Sequence, residues 1–334
     1  MVRDGFVFDH HLTNGRPRCG RCSRGINLYS HRTLATGLRF PEGPIALKDG
    51  ALLVVEMERG TLTRIAANGT TADVAHLGGG PNGAAVGPDG ACYVCNNGGL
   101  EWHSEERGAM RPLMQSDDYV GGSIQRVDPG SGTVSALYGL GASGALNGPN
   151  DIVFDEIGGF YFTDMGKARR FDIDRSAVYY ARIDGSLLKE VVFPMMTANG
   201  IGLSPDGRKL YVTETLPARL WEFDVVGPGE IRPEPWPSPN GGRLLYGSDR
   251  YQMFDSMAVE QDGNICIATL INGGITVVSP SGELIDFITL DDKYTTNLCF
   301  GGVDHRTAFV TLSMSGRIIG LDWPRQGLPT HFTA

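Results

Sequence analysis

Six polar residues open short apolar stretches along the chain, and their side chains carry the oxygen atoms that could do chemistry. They are Glu42, Asn82, Asn150, Asn199, Asp255 and Asn297. Every side chain of the set offers an oxygen ligand, and the set contains no Cys or His. A cation held by these residues would therefore be a hard ion such as Ca²⁺, Mg²⁺ or Mn²⁺. A divalent cation in such a site can polarise a carbonyl or phosphoryl oxygen and activate water.

The same local pattern follows each polar residue. Eight positions later stand Gly50, Gly90, Gly158, Gly207, Gly263 and His305. Most of these glycines end turns such as "KDG", "PDG" and "QDG", which are typical of tight hairpins that require a positive φ. The flanking runs, for example "IGLSPDGRKLYV", are rich in β-branched and aromatic residues. Each repeat is therefore predicted to be a polar residue followed by a β-hairpin.

The spacing of the repeats predicts an all-β, six-bladed β-propeller. Successive polar residues are about 40 to 70 positions apart, and the shortest steps match the roughly 40-residue blade of a propeller. Second strand pairs are visible within repeats, for example "SIQRVDP" with "GTVSALYG". The segment "RTLATGL" is expected to supply a strand that closes the ring with the last blade and so hides the sheet edges.

Propeller geometry makes the polar set a candidate site. The innermost strand of every blade starts at the same end of the central channel, so residues at equivalent positions converge near the axis. Buried carboxylates and amides without partners are costly, and a bound cation would satisfy them together. The alternative is that these residues cap strand ends or hydrogen-bond water in the channel.

The remaining composition indicates an ordinary acidic protein. Residues 31–334 are predicted to form the single propeller, and residues 1–30 an N-terminal extension that is flexible or packed on the outside. The formal charge of -9 argues against nucleic-acid and anionic-membrane partners, which need basic surface. Without a signal-like or membrane-spanning apolar run, a cytoplasmic location is expected. Cys19 and Cys22 form a lone CxxC, which is weak support for zinc, and two free thiols are the favoured interpretation.

At these residues the chain resembles the SMP-30/gluconolactonase/LRE-like family of six-bladed propellers. The resemblance covers roughly residues 38–325 and rests on the order of "FPEGP", "GPND", "ANGIGLSPDG", "DSM" and "CFGG". It implies a divalent-metal site made of Glu42, Asn150, Asn199 and Asp255. Ser256, after the late-blade Asp, resembles the bacterial drug-responsive lactonases. For the cation we expect Ca²⁺ first, with Mg²⁺, Mn²⁺ or Zn²⁺ as alternatives.

The resemblance implies metal-dependent hydrolysis of a lactone or related ester. The cation would polarise the lactone carbonyl and lower the pKa of a bound water. Asp255 is the first candidate for the base that takes a proton from that water, and it could also attack directly. Asp151, which is expected to alternate away from Asn150 along the strand, is either a second candidate base or a carboxylate that orients a ligand.

Substrate contacts are less well defined by the sequence. Asn82 and Asn297 face the same channel and are candidates for substrate binding. The charged loop "MGKARRFDIDRS" is either only solvated or supplies Lys167, Arg169 or Arg170 to the substrate. Animal sugar-lactonases of the family carry an Arg at the position of Gly148, so a polyhydroxylated sugar lactone loses one charged anchor here. The insertion around Trp102 and His103 could form a lid.

Two other functions stay open from the sequence. The same set of ligands could polarise a P=O group, as in a phosphotriesterase-type hydrolase. The protein could also be a non-catalytic calcium-binding propeller, because a fold does not determine a function. The sequence leaves the lactone, the preferred metal and the oligomeric state undetermined.

Overall fold

A computed structural model of the protein describes residues 29–105, 108–139 and 146–332. In these residues the chain forms six small antiparallel sheets, and no α-helix is present among them. Residues 1–28, including Cys19 and Cys22 and most of the predicted N-terminal extension, lie outside the described residues. None of the described residues belongs to a helix long and apolar enough to span a membrane.

The strands follow one another blade by blade. Strand β1 (His31–Ala35) comes first and is followed by blade 1, with β2 (Pro41–Ala46), β3 (Leu52–Glu56), β4 (Thr61–Ile65) and β5 (Thr71–His76). Blade 2 begins with β6 (Pro81–Val86) and β7 (Cys92–Asn96), continues through a separate hairpin of β8 (Leu100–Ser104) and β9 (Met110–Gln115), and ends with β10 (Ser123–Val127) and β11 (Val134–Gly139). Blade 3 contains β12 (Pro149–Phe154), β13 (Gly159–Asp164), β14 (Ser176–Arg182) and β15 (Leu188–Met195).

The second half of the ring repeats the arrangement. Blade 4 contains β16 (Ala198–Leu203), β17 (Lys209–Glu214), β18 (Arg219–Gly227), β19 (Glu230–Arg232) and β20 (Arg243–Gly247). Blade 5 contains β21 (Met253–Val259), β22 (Ile265–Leu270), β23 (Gly274–Val278) and β24 (Leu284–Thr289). Blade 6 contains β25 (Thr295–Gly301), β26 (Thr307–Leu312) and β27 (Arg317–Asp322), and β1 completes it as the outermost strand.

Two sets of contacts close the ring. Each inner strand packs against the inner strand of the next blade, and β25 returns to β2. In addition, β1 pairs with β27, His31 lying opposite Leu321. The predicted six-bladed propeller and its closure by the N-terminal strand are confirmed. The first strand thus completes the last sheet from the outside and ties the start of the ring to its end.

The apolar core lies between neighbouring blades. One buried cluster joins Ile45 and Val55 of blade 1 to Cys92 and Val94 of blade 2. Cys95 belongs instead to the cluster shared by blades 2 and 3. Cys92 and Cys95 thus point to opposite faces of β7, as the spacing predicts for a strand. Burial of apolar area, worth about 25 cal/mol per Å², holds adjacent blades together.

The turn between the first two strands of each blade has the predicted conformation. The position eight residues after the polar residue has a positive φ in all six blades, from Gly50 (φ 80°) to His305 (φ 53°). Glycine adopts this region without a steric penalty, which explains its recurrence at five of the six positions.

Candidate active site

The inner strand of every blade pairs irregularly at its polar residue. The register with the second strand shifts between Glu42 and Ile45 in blade 1 and between Phe254 and Met257 in blade 5, and the other four blades shift at the equivalent place. Such irregularities bend a strand and re-aim its side chains. They occur here where the strand reaches the channel.

One consequence corrects the expected alternation of Asn150 and Asp151. The register in blade 3 shifts between Pro149 and Ile152, so the two residues do not follow regular strand geometry. Both side chains are buried. The Asp151 carboxylate turns toward blade 4, where it accepts a hydrogen bond from the backbone N–H of Ile201 at 3.4 Å.

The predicted site residues are all buried. The six polar residues, Asp151 and Lys167 expose between 2% (Glu42) and 9% (Asp255) of their surface. Burial raises the pKa of Glu42, and the nearby side chains of Thr296 and Asn297 in blade 6 lower it in part. Burial and the charge of Glu42 raise the pKa of Asp255 in blade 5, and the nearby Asn199 side chain lowers it in part. The ring of blades therefore brings together polar groups that are far apart in the sequence.

Glycines after the polar residues allow this close approach. A Cβ on Gly43 would lie 2.6 Å from the carbonyl oxygen of Asn82, and a Cβ on Gly83 would lie 2.6 Å from Asp151 Oδ1. A Cβ on Gly200 would lie 2.7 Å from the carbonyl oxygen of Asp255. Each glycine thus packs against the polar residue of the next blade. This role was not predicted, although the repeated "EGP", "NGA" and "NGI" carried the signal.

Two buried threonines connect neighbouring blades behind the site. Thr163 Oγ1 donates to the carbonyl oxygen of Asn199 at 2.5 Å, and Thr213 Oγ1 donates to that of Asp255 at 2.8 Å. Each hydroxyl also accepts a backbone N–H from its own blade, from Asp151 at 3.1 Å and Gly200 at 2.8 Å. The threonines hold the backbone of Asn199 and Asp255 at fixed positions relative to the preceding blade.

Polar residues at the ends of the second strands position the loops around the mouth. Glu56 accepts the backbone N–H of Arg39 at 2.8 Å, and Glu214 accepts that of Met196 at 2.6 Å. Asp164 accepts the N–H groups of the segment that enters blade 3, including that of Gly148 at 2.7 Å. Sequence reasoning missed this set. Its signal is a Glu, Asp or Asn 14 or 15 positions after the polar residue, in four of the six blades.

Three buried carboxylates face one another in the channel. Burial first, and the charge of Asp151 in addition, raise the pKa of Glu42 to about 7. Burial also raises the pKa of Asp151 to about 7. The pKa of Asp255 lies well above its usual value, because of burial first and of the negative charges of Glu42 and Asp151 next. No Lys, Arg or His side chain within the described parts of the chain is among the groups that lower these raised pKa values.

The donor set fits a hard divalent cation. Asn150 Oδ1 is buried and has no hydrogen-bond partner, although an amide oxygen in this position is costly to leave unpaired. Glu42 and Asp255 add the uncompensated carboxylates. Across residues 29–105, 108–139 and 146–332, no group of three or more His, Cys, Asp or Glu side chains has the arrangement of a metal site. A cation at this place would therefore need the amide oxygens of Asn150 and Asn199 in addition to the two carboxylates.

Lys167 is buried among protein groups. Its ammonium donates to Gly99 O at 2.7 Å and to Asn97 Oδ1 at 3.2 Å, and it lies 4.8 Å from the ring centroid of Tyr119. Burial lowers its pKa to about 8. These contacts link blade 3 to the base of the β8–β9 hairpin, which sequence reasoning did not foresee.

The two arginines of the same loop differ. Arg169 forms ion pairs with Asp172 and Asp174, so its guanidinium is already engaged within the loop. Arg170 is exposed and lies 5.1 Å from the ring centroid of Phe171. Neither arginine contacts the polar residues of the channel by a hydrogen bond or ion pair in the described structure.

The β8–β9 hairpin lies across the mouth of the channel. Trp102 packs on Phe40, just before β2, with ring centroids 5.0 Å apart. The backbone N–H of Met110 donates to Met314 O at 3.1 Å, and that of Gln115 donates to Ala168 O at 3.0 Å. The hairpin is thereby fixed over blades 6, 1 and 3 at the end where the polar residues lie. His103 is half-exposed, with its Nε2 3.7 Å from Glu105.

A cavity of about 710 Å³ continues from the polar residues along the channel. Asp151 and Asn297 line one end, and the C-terminal segment from Leu328 to Phe332 lines the other. Phe332 packs edge-on against Phe154, with ring centroids 5.8 Å apart. The walls between are largely apolar, so the polar chemistry is confined to the end of the channel under the hairpin.

A comparison with protein families identifies the chain. The sequence model described as "SMP-30/Gluconolactonase/LRE-like region" matches residues 40–314. The chain belongs to this family. The match covers all six polar residues of the site, and the resemblance inferred from the motifs is confirmed.

Curated relatives of this family member are named lactonases and gluconolactonases. Lactonase drp35 of Staphylococcus saprophyticus is 27% identical over 214 residues, which cover 64% of this chain and 57% of the relative. A gluconolactonase of Zymomonas mobilis is 25% identical over 251 residues, which cover 70% of this chain and 61% of the relative. The chain thus spans about three fifths of the length of these relatives.

Solved structures share the fold. A gluconolactonase from Xanthomonas campestris has a TM-score of 0.69 at 21% identity, with 90% of this chain and 91% of that chain covered. A calcium-binding protein, regucalcin, from Agrobacterium tumefaciens has a TM-score of 0.70 at 17% identity, with 90% and 95% covered. At these identities the likeness establishes the six-bladed architecture and nothing finer.

Proposed function

We propose that the protein is a divalent-metal-dependent hydrolase that opens the ring of a lactone. The observation that carries the proposal is the unpaired Asn150 Oδ1 beside two buried carboxylates, Glu42 and Asp255, that lack a basic partner. Buried carboxylates of this kind are costly to keep ionised at neutral pH, and a bound cation would compensate their charge. The names of the curated relatives supply the reaction class, the hydrolysis of lactones.

The residues proposed to hold the cation are Glu42, Asn150, Asn199 and Asp255. Their oxygen ligands suit Ca²⁺ first, with Mg²⁺, Mn²⁺ or Zn²⁺ as alternatives. When bound, the cation would supply Lewis-acid polarisation of the lactone carbonyl and a lowered pKa for water. Ser256 supports this set, because its Oγ lies 3.4 Å from Asn199 Oδ1 and its backbone N–H donates to Asp255 Oδ1 at 3.1 Å.

Asp255 is the proposed base. Thr213 fixes its backbone carbonyl and Ser256 fixes one carboxylate oxygen, so the side chain is held in one orientation for proton transfer. Asp151 accepts backbone N–H groups on both oxygens, from Ile152 at 3.0 Å and from Ile201 at 3.4 Å. These bonds favour Asp151 as a carboxylate that positions the neighbouring blades and tunes the charge of the site.

Asn82 and Asn297 are proposed to contact the substrate, since both are buried at the channel end under the hairpin. The contacts of Lys167 with Asn97 and Gly99 favour a different role for this residue. It positions the base of the hairpin, and its proposed contact with the substrate would require those bonds to exchange.

The test is a pH-indicator assay of γ-lactone and δ-lactone hydrolysis after EDTA treatment and after Ca²⁺, Mg²⁺, Mn²⁺ or Zn²⁺ is restored. We expect activity to vanish with EDTA and to return with one cation. Asp255→Asn should lower kcat by about 10²- to 10⁴-fold, the usual contribution of a general base. The matched control, Asp304→Asn, changes an exposed turn residue at the other end of blade 6 and should leave kcat unchanged.

Two results would redirect the proposal. Turnover of a phosphotriester with no turnover of any lactone would identify a phosphotriesterase-type hydrolase. Absence of any turnover, with a melting temperature that still falls on EDTA treatment, would identify a non-catalytic calcium-binding propeller.

A further inference from the structure

The loops around the mouth of the channel expose large apolar side chains. Because of the strand order, loops from second to third strands and from outer to next inner strands lie at the end where the polar residues lie. The exposed apolar residues on these loops and on the inserted hairpin are Leu113, Met114, Val120, Phe171, Leu216 and Tyr251. We call this set the apolar rim.

We propose that the apolar rim makes the enzyme selective for lactones that carry an apolar substituent, such as an alkyl chain on the ring, over polyhydroxylated sugar lactones. The proposal rests on the proposed lactone hydrolysis and names its substrate class. A ring placed at Asp255 would direct its substituent outward, between the loops that carry Leu216 and Tyr251.

Leu216 is fixed beside the site. The preceding residue, Thr215, accepts a hydrogen bond from the Asn199 amide at 3.0 Å, and the backbone N–H of Leu216 donates to Thr197 Oγ1 at 3.0 Å. The loop is thus tied to a residue of the proposed metal site, yet the Leu216 side chain is 52% exposed. An ordered apolar side chain next to a polar site provides area that an apolar substituent could cover.

Aromatic side chains also border the mouth. Tyr251 is 76% exposed on the loop that leads into β21 and Asp255. Tyr294 lies near Asp255, since burial and in part this carboxylate raise the pKa of its phenol. Tyr294 packs edge-on against Phe40 with ring centroids 5.9 Å apart, and Phe40 packs against Trp102 of the hairpin. The hairpin and blades 5, 6 and 1 thus form an aromatic wall.

Three basic side chains around this mouth are engaged with other protein groups. Arg111 pairs with Glu105 at 3.0 Å, Arg169 pairs with two aspartates, and Lys167 bonds to the hairpin base. Glycine at position 148 offers no side chain. A sugar lactone would therefore find fewer free basic groups to bind its hydroxyls, whereas an alkyl chain would find apolar area. Each buried methylene is worth about fourfold in affinity.

The test compares kcat/KM of the Ca²⁺-loaded enzyme for γ-lactones with methyl, butyl and heptyl substituents and for glucono-δ-lactone. We expect kcat/KM to rise about 60-fold from methyl to butyl if the chain is fully buried, at about fourfold per methylene. Leu216→Ser and Tyr251→Ser should reduce that gain severalfold, chiefly through KM. The control Ile157→Ser removes an exposed apolar side chain from a turn at the other end of blade 3 and should preserve it.

A kcat/KM that does not change with the length of the substituent would overturn the proposal while leaving lactone hydrolysis intact. A preference of the wild-type enzyme for glucono-δ-lactone would do the same. If no lactone is hydrolysed, the proposed function fails, and calorimetry with cyclopentanone and 2-heptylcyclopentanone then tests the rim separately. Tighter binding of the alkylated ketone, lost in Tyr251→Ser, would support the rim. Equal or absent binding of the two ketones would refute it.

Discussion

Removal of the divalent cation should make the stability of the protein strongly dependent on pH between 5 and 8. Glu42, Asp151 and Asp255 are buried together, and the pKa values of the first two rise to about 7 from the ordinary 4.5 and 3.8. Without a cation the folded protein therefore holds protons that the unfolded chain releases. Stability from these groups is present at pH 5 or below and is lost as the pH rises through 7.

The magnitude follows from the two pKa values near 7. Between pH 5 and pH 8 each of Glu42 and Asp151 should lower the free energy of unfolding by roughly 2 to 3 kcal/mol. Together they remove about 5 kcal/mol, which is comparable to the whole stability of many domains. Asp255 acts in the same direction. A bound cation would compensate the ionised carboxylates and flatten this dependence.

The assay is urea unfolding followed by tryptophan fluorescence at pH 5, 6, 7 and 8, with EDTA or with saturating Ca²⁺. Asp151→Asn should reduce the slope measured in EDTA by about a third to a half, because it removes one of the three buried carboxylates whose pKa is raised. Asp304→Asn, an exposed control, should leave it unchanged. The measurement is repeated with Mg²⁺, Mn²⁺ and Zn²⁺ in place of Ca²⁺. If the free energy of unfolding depends on pH equally with EDTA and with every one of these ions, the carboxylates do not belong to a cation site.

Further outcomes test the packing around the site. Gly200→Ala should destabilise the protein by about 3 kcal/mol or more, because the new Cβ meets the Asp255 backbone at 2.7 Å. The control Gly247→Ala, which has no atom within 4 Å of its new Cβ, should change the free energy of unfolding by less than about 1 kcal/mol. Equal effects of the two substitutions would contradict the close approach. Thr213→Val should lower the free energy of unfolding by about 1 to 3 kcal/mol, because the Asp255 carbonyl and the Gly200 N–H lose their partner. Calorimetry should show Ca²⁺ binding weakened about tenfold. Unchanged affinity would show that Thr213 does not support the site.

Local periodicity explains why the architecture was predictable. Each blade repeats the same hairpin chemistry, so a positive φ at Gly50 and at His305, and a closing strand at 31–35, follow from short stretches read in succession. The convergence of Glu42 and Asp255 follows from the symmetry of a closed ring. These features need no knowledge of any particular long-range contact.

The features that the sequence did not predict come from contacts without periodicity. Asp151 was expected to alternate away from Asn150, but the irregular pairing at the channel re-aims it. Lys167 was assigned to the substrate because it lies in a charged loop, yet its ammonium bonds to blade 2, 68 residues away in the chain. Nothing in the loop sequence predicts that contact.

By itself, the sequence determined the six-bladed fold, the closing strand and the set of oxygen-bearing residues that meet in the channel. The reason is that hairpins and their turns are encoded over a few residues, and sixfold repetition of one unit leaves little choice of architecture. Only the tertiary structure decided how Thr163 and Thr213 bridge the blades, where the hairpin lies and which apolar side chains surround the mouth. These depend on side chains distant in sequence that meet only after the ring has closed.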